Sequence, residues 1–558
     1  MKVTSNKLFN YIRCRRFAAL HDPNSETDPL SNDHYYLKSM VKFKDIFLGL
    51  NYQDSMNYEK DVELSFDFHH DFQLTEVFDF IFNDRDIYVL VTESSKHFLN
   101  IKYREGEQTH RIFKKNDDGQ YQLVTGVKNS ESYHSRFMKL MGLNEITGQI
   151  IFKYAFMRYL YRNIYPKSKF NLYVVMLNED YVHSGLTFNK KLYHVFDFSN
   201  IDDLDNQIEI ALFRMINHIE LNDFTPCELV RNACMIGKKN QCKFVDFCYS
   251  HLPKENSILD YFEPNLGFSE PLKHTKLHHD TYELINHQYL KMEDIPLDWI
   301  SNKNRLMQRY CLDNKVQYIN KEKIKLMLSG LTYPLTFLDL SLMPTIIPKF
   351  KGEKPFETLG FQYSIYYQKN PDSHFELNDD QLINSFKETR TDTRTEFAER
   401  FVNHLLKHQG SIVVYNKPRL SSVFQSMKIV FPSIQHKIDL IIEHLVDVLD
   451  ILTVDSKYLK QFDERDLDLS TYNFYDLRLS GSYDRNRLAK VFDLDSINQL
   501  EINDDETEYK TFRLYNDFQG ESKIKAKKNM MIYSQHKAYL LYQIVSQLYQ
   551  KVIKKRYR

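Results

Sequence analysis

Hydrophobic and polar positions give the 558-residue chain two rhythms, one over roughly the first 270 residues and another that begins at Tyr333. In the first part, LYVVMLNEDYV and KLYHVFDFSNIDD alternate with the two-residue period of strands, whereas EITGQIIFKYAFMRYLYRNIY repeats at helical spacing. DDGQY, from Asp117 to Tyr121, lies between two strand-like runs and predicts a hairpin. A polar, helix-poor stretch from Pro264 to His279 reads as a linker, and helical spacing then runs from Thr281 to about Leu331. The second part reads as strands LTFLDLSL and LGFQYSIYYQ, helix RTEFAERFVNHLLKHQ, strand GSIVVYN and several further helices, the last from about Asn529 to Lys555. The expectation is an α/β (α+β) chain in three segments: 1–265, a helical connector 266–331, and 332–558.

Composition changes this picture little. Hydrophobic residues at 42% support a folded chain, and 74 basic against 75 acidic side chains leave no global field toward nucleic acid or an anionic membrane. Any such binding falls to local patches. The N-terminus MKVTSNKLFNYIRCRRF has no apolar core, and no uncharged apolar run of about 18 residues follows, so a soluble cytoplasmic protein without membrane contact is expected. Nothing in the pattern fixes an oligomeric state. The 40 Phe and 38 Tyr beside a single Trp are read as base-composition bias in the genome, not as a stacking surface.

Two groups of residues carry candidate chemistry. YPLTFLDLSLMPTIIP takes an acid, Asp339, into an apolar strand and places the neutral Ser341 two positions later, on the same face. Cys227, Cys234, Cys242 and Cys248 lie close together, with Cys14 far upstream. Gathered thiolates suit zinc or an iron–sulfur centre. The C-x7-C-x5-C spacing of the last three departs from the CxxC pair of common zinc modules, which leaves open a helical hairpin with buried thiols. Cys311 stands apart and reads as a core thiol.

Six stretches resemble domain-of-unknown-function family 2779, a family of large bacterial proteins: SNKLFNYIRCRRFAAL, LNEDYVHSGLTFNKKLYHVFDFS, CKFVDFC, YPLTFLDLSLMPTIIPKFKGEKPFETLGFQYS, GSIVVYN and GSYDRNRLAKVF. The resemblance implies a RecB-like PD-(D/E)XK nuclease module over 1–265 and a ribonuclease-H-like DEDD exonuclease module over 332–558. It also implies a 4Fe-4S cluster held by Cys14, Cys234, Cys242 and Cys248, with Cys227 as the spare. For the first nuclease centre it implies Lys128 and Gln149, but Gly126 stands where an acid belongs and Arg111 where an aspartate does. A second register offers Asp79, Glu93 and Lys96, although an acid and a lysine three apart face opposite ways on a regular strand.

For the second centre the resemblance implies four acids around two Mg²⁺ or Mn²⁺ ions. Asp339 keeps the first position and Ser341 stands at the second. Asp447 takes the third, with Asp450 as competitor, and Lys537 stands at the fourth beside His536, a candidate proton acceptor. Asn416 matches a position near the site, and Leu420 replaces the acid that follows it. The two replacements shift the site by about three charge units toward positive, against two divalent ions. One metal at Asp339 and Asp447, or a nucleic-acid backbone gripped by Lys537, are the remaining expectations. The function expected is a nucleic-acid-associated protein of nuclease descent, impaired at both centres and retaining binding or scaffolding. An active metal-dependent nuclease with a rearranged site and an interaction scaffold without a nucleic-acid role are the alternatives.

Overall fold

The computed structural model describes the chain apart from residues 21–33, 53–56, 126, 128–129, 143–144, 200–204, 222–233, 235–241, 243, 378–381, 388–390, 454–470 and 554–558. The fold is mixed α/β. It forms two compact units, one of Met1–Cys248 with Thr345–Glu357 and one of Tyr249–Pro344 with Thr358–Arg558. The sequence places its first boundary at 265/266 instead. The polar stretch taken there for a linker folds into the second unit as a hairpin, Phe268–Pro271 against Lys276–His279. Its entry is fixed by the buried Arg305, whose guanidinium donates to the carbonyls of Phe262 (2.8 Å), Gly267 (2.5 Å) and Glu263.

The first unit is built on a mixed sheet. Its strands are β1 (Lys2–Val3), β2 (Tyr58–His69), β3 (Phe72–Phe82), β4 (Asp86–Ser94), β5 (Phe113–Lys115), β6 (Tyr121–Leu123), β7 (Asn171–Leu177) and β8 (Tyr193–Asp197). The order is β1-β3-β4-β7-β8-β6-β5, with β2 paired to β3 off this path. β5 and β6 are antiparallel, as the DDGQY turn between them requires. Three helices, α1 (Ser5–Arg13), α2 (His34–Asn51) and α3 (Ile146–Ile164), supply apolar faces, among them Leu8, Phe47, Tyr154 and Leu160. Residues 345–357 pack into this unit, where the N–H of His183 donates to Glu353 O (2.9 Å) and that of Gly352 to His183 O (2.8 Å).

The second unit centres on five strands: β9 (Leu335–Pro344), β10 (Thr358–Gln368), β11 (Ile383–Phe386), β12 (Ile412–Val414) and β13 (Leu445–Asp447), in the order β11-β10-β9-β12-β13. β9 is the middle strand, antiparallel to β10 and parallel to β12. Alternation along it divides two cores. Leu338 and Leu340 pack with Phe401 and Phe424, from α4 (Arg394–Leu405) and α5 (Lys417–Val430). Leu335 and Phe337 pack with Leu541 and Ile544 of α6 (Gly520–Val552). Asp339 and Ser341 share the second face, and the pairing with β10 shifts register directly after Ser341.

Candidate functional site: a buried charge cluster on the middle strand

Asp339 and Ser341 lie under α6, and both are buried. The helix buries Met530, Tyr533, Ser534 and Lys537 at the i, i+3, i+4 and i+7 spacing of one face, and Ser534 and Lys537 reach the strand. Ser534 donates to Asp339 Oδ2 at 2.8 Å. The Lys537 side chain is 1% exposed, and its ammonium stands 2.7 Å from Glu508 Oε2, 3.2 Å from Asp339 Oδ2 and 3.3 Å from Asp505 Oδ1. It also donates to Ser341 Oγ at 3.3 Å and lies 4.6 Å from the centroid of the Tyr533 ring.

The two further acids come from the helix Asp505–Leu514, whose first turn holds Asp505 and Glu508 and whose N-cap is Asp504. A second cation comes from the helix Arg485–Val491, capped by Asp484. Arg485 contacts Asp505 at 2.8 Å and Asp339 Oδ1 at 3.6 Å while lying over the Tyr415 ring. Asp339 and Asp505 are therefore each bridged by both cations, with Glu508 as a third acid on Lys537. Ser341 donates to Glu508 Oε1 (2.6 Å), as does Gln362 Nε2 (2.6 Å). Asp505 is the member that meets solvent, its side chain 46% exposed.

Burial would lower the Lys537 pKa, but Asp339, Glu508 and Asp505 outweigh it and hold the ammonium far above its ordinary value. Burial likewise works against Arg485, and Asp505 and Asp339 overcome it. For Asp505 burial is outweighed by Arg485 and Lys537, so its carboxyl stays well below the usual range. Glu508 goes the other way. Burial pushes it up to about 7 against the pull of Lys537, with Asp339 and Asp505 adding like-charge repulsion. Three acids face two bases, and the excess acid is the one that keeps its proton toward neutral pH.

The other expected residues of this centre serve the backbone. Asp447 accepts the N–H groups of Asn416 (3.2 Å), Lys417 (2.7 Å) and Leu449 (3.1 Å), capping the short helix Val448–Leu452 that also holds Asp450. Desolvation raises its pKa. Asn416 takes a left-handed conformation (φ 63°) and caps α5 by accepting from Arg419 N, while Leu420 is core. His536 donates from Nδ1 to Ile532 O (2.8 Å) on its own helix, and burial lowers its pKa. Neither Asp447 nor His536 contacts the cluster. Lys537, expected to meet a nucleic-acid backbone, has its ammonium enclosed by carboxylates instead.

In the first unit the candidates are dispersed. Asp79 accepts Leu90 N (2.7 Å) and pairs with Lys44 (2.6 Å), which also pairs with Asp61. A register shift between Val91 and Ser94 breaks the regular strand at Glu93. Glu93 then lies 3.7 Å from His97, and Lys96 pairs with Glu179 (2.7 Å) and Asp180 (2.9 Å). Gln149 is half-buried in the first turn of α3. Lys128 and Gly126 lie outside the described residues, as does Cys227.

Of the thiols, Cys14 ends α1, and the N–H of Cys242 donates to Cys234 O (3.0 Å). Arg16 lies over the ring of Phe247, which brings the chain beside Cys14 to the chain beside Cys248. Among the described residues no three His, Cys, Asp or Glu side chains stand as a group that could hold a metal ion. Cys311 is buried, and its thiol is pushed up to about 11. Also among the described residues, no helix is long and apolar enough to cross a membrane.

Asp505, Glu508 and Arg485 are the members sequence reasoning missed. Arg485 lies inside the quoted GSYDRNRLAKVF, which the sequence singles out only through the resemblance. Residues 336–466 match the family described as Domain of unknown function (DUF2779). The match includes Asp339, Ser341, Asn416 and Asp447 and ends before Arg485, Asp505, Glu508 and Lys537. Comparison with curated proteins and with solved structures finds no match.

Proposed function

We propose, proceeding from that domain over residues 336–466, that this is a nucleic-acid-associated protein of nuclease descent. In this reading phosphodiester hydrolysis is lost at the second centre, and binding or scaffolding remains. The observation that carries it is the Lys537 ammonium, 2.7 Å from Glu508 and 3.2 Å from Asp339, paired to the strand acid that metal-dependent hydrolysis would need first. A carboxylate already paired to an ammonium and a guanidinium has little charge left for Mg²⁺. The acid strand at the centre of a five-stranded sheet supports the descent, and the paired Asp79 and Lys96 support the same impairment in the first unit.

The test is a digestion assay on single- and double-stranded DNA and RNA with Mg²⁺ or Mn²⁺, run beside a filter-retention assay over a salt series. No metal-dependent cleavage is expected, together with retention that falls steeply with salt, as phosphate contacts require. Cleavage that Asp339→Ala abolishes would overturn the impaired reading. Absence of retention at low salt would favour a protein-interaction scaffold.

A further inference from the structure

We infer that the hairpin of Phe268–Pro271 and Lys276–His279 is a ribbon that contacts duplex DNA, its lysines on phosphates and its leucines in the groove. The inference rests on the nucleic-acid reading above and gives it a place in the second unit. The hairpin is a two-stranded sheet of its own. All eight residues from Pro271 to His278 are exposed, and the Leu272 N–H donates to Thr275 O (2.9 Å) across the turn. They read PLKHTKLH, with two lysines, two histidines and no acid. The flanking acids are engaged: Glu270 pairs with His279 Nε2 (2.9 Å), and Asp280 accepts Tyr282 N (2.8 Å). Among the described residues neither Lys273 nor Lys276 has an ion-pair partner.

The root of the ribbon is as fixed as its tip is open. The buried Arg305 that holds the carbonyls of Phe262, Glu263 and Gly267 also lies 4.8 Å from the centroid of the Phe268 ring, which meets Tyr261 edge-on. Gly267 enters the first strand at φ 64°, where an added Cβ would strike His279 O. On the second strand the His279 ring stacks on Trp299, centroids 4.4 Å apart and planes 10° from parallel. A held root and a solvated tip make a preorganised contact element, which loses little freedom on binding. Duplex DNA is the occupant this chemistry favours. Its major groove, about 12 Å wide, admits a two-stranded ribbon, whereas that of duplex RNA is too narrow for side chains to read. Alternation puts Lys276 and His278 on one face and Leu277 on the other. Leu272 and Leu277, 48% and 47% exposed, suit the apolar contact that thymine methyls offer. Single strands are bound on aromatic platforms, and the exposed run has no Phe, Tyr or Trp.

The test is retention of a mixed-sequence duplex DNA by the full-length chain over a salt series, with duplex RNA and single-stranded DNA in parallel. Lys273→Gln with Lys276→Gln is expected to weaken duplex DNA binding at least about tenfold near 0.1 M salt, and to lower the slope of log K against log salt by about 2, the share of two phosphate contacts. Leu272→Ser with Leu277→Ser is expected to weaken it several-fold at an unchanged slope. Lys321→Gln with Lys325→Gln, exposed cations on a helix of the same unit, is expected to change neither. Wild-type affinity in either ribbon variant overturns the inference and leaves the nucleic-acid reading standing, whereas no retention by the wild type ends both. An equal loss from Lys321→Gln with Lys325→Gln also overturns it, as does a wild type that binds duplex RNA or single strands more tightly than duplex DNA.

Discussion

In the first unit Asp79 on β3 meets Lys44 from α2, and in the second Asp339 on β9 meets Lys537 from α6. Both are strand aspartates answered by a lysine from a helix. The first pair keeps some water: Lys44 is 15% and Asp79 11% exposed, and the other partner, Asp61, is 47% exposed. The second pair has none, at 1% each, and is joined by Arg485, Glu508 and Asp505. One arrangement at two depths has different consequences. A pair that some water reaches can lose a member and let water replace it, whereas a dry cluster must keep its charges matched.

The largest effect should come from removing each lysine. Lys537→Ala leaves Asp339 and Glu508 buried without their ammonium, only Arg485 remaining beside Asp339, and a cost of about 3–5 kcal/mol is expected. Lys44→Ala should cost about 1 kcal/mol. Thermal denaturation checks both. The chain has two units and need not melt in one step, so the transition that moves also identifies the unit. Equal shifts from the two variants would show that depth does not separate the pairs.

Removing the acids should give smaller, closer values. Asp339→Asn keeps the shape and leaves two acids against two bases, so about 1–2 kcal/mol is expected where Lys537→Ala costs more. Asp79→Asn can still accept Leu90 N–H, and less than about 1 kcal/mol is expected. If Asp339→Asn proved as damaging as Lys537→Ala, the excess-acid account of the cluster would fail.

The strand with Asp339, the helix after it and GSIVVYN were legible because period-2 and period-3.6 patterns are local. The cluster was not. Asp505 and Glu508 lie in DDETEYKT, which reads as the solvated first turn of a helix, and Glu508 is buried only because Ser341 and Gln362, well over a hundred residues earlier, come to rest on it. Lys537 left a fainter trace. It falls in register with Met530, Tyr533, Leu540 and Ile544 on the buried side of α6, and a lysine on an apolar helix face implies acids waiting for it. The first unit's pairs were hidden for a related reason, since a register shift at Glu93 cancels the strand geometry that the sequence argument assumed.

A pH series sharpens the contrast further. Glu508 has its folded pKa raised to about 7 from an unfolded value near 4.5, so its proton binds more tightly in the folded state. Its contribution is fully present below about pH 4.5 and is lost as pH rises through 7. Asp505, depressed in the fold, contributes above about pH 4 and loses that contribution as pH falls. The contribution of these two acids should therefore be largest near pH 4.5–5 and fall toward pH 8. Glu508→Gln should flatten the slope between 5 and 7 without changing the fall on the acid side. A slope that persists in Glu508→Gln would assign it to another group.

The smallest effect separates the pairs by screening. Raising the salt from 0.1 M to 1 M shortens the Debye length from about 10 Å to about 3 Å, which weakens attractions that water and ions reach and leaves dry ones largely intact. General effects of salt on folding act alike on wild type and variant, so the quantity to follow is the difference between them. For Lys44→Ala against wild type that difference should shrink by a few tenths of a kcal/mol, because Asp61 and part of the Lys44–Asp79 pair face solvent. For Lys537→Ala it should hold, since ions can approach only the Asp505 edge of the cluster. A Lys537 difference that decays with salt as fast as the Lys44 one would mean that ions reach the middle strand.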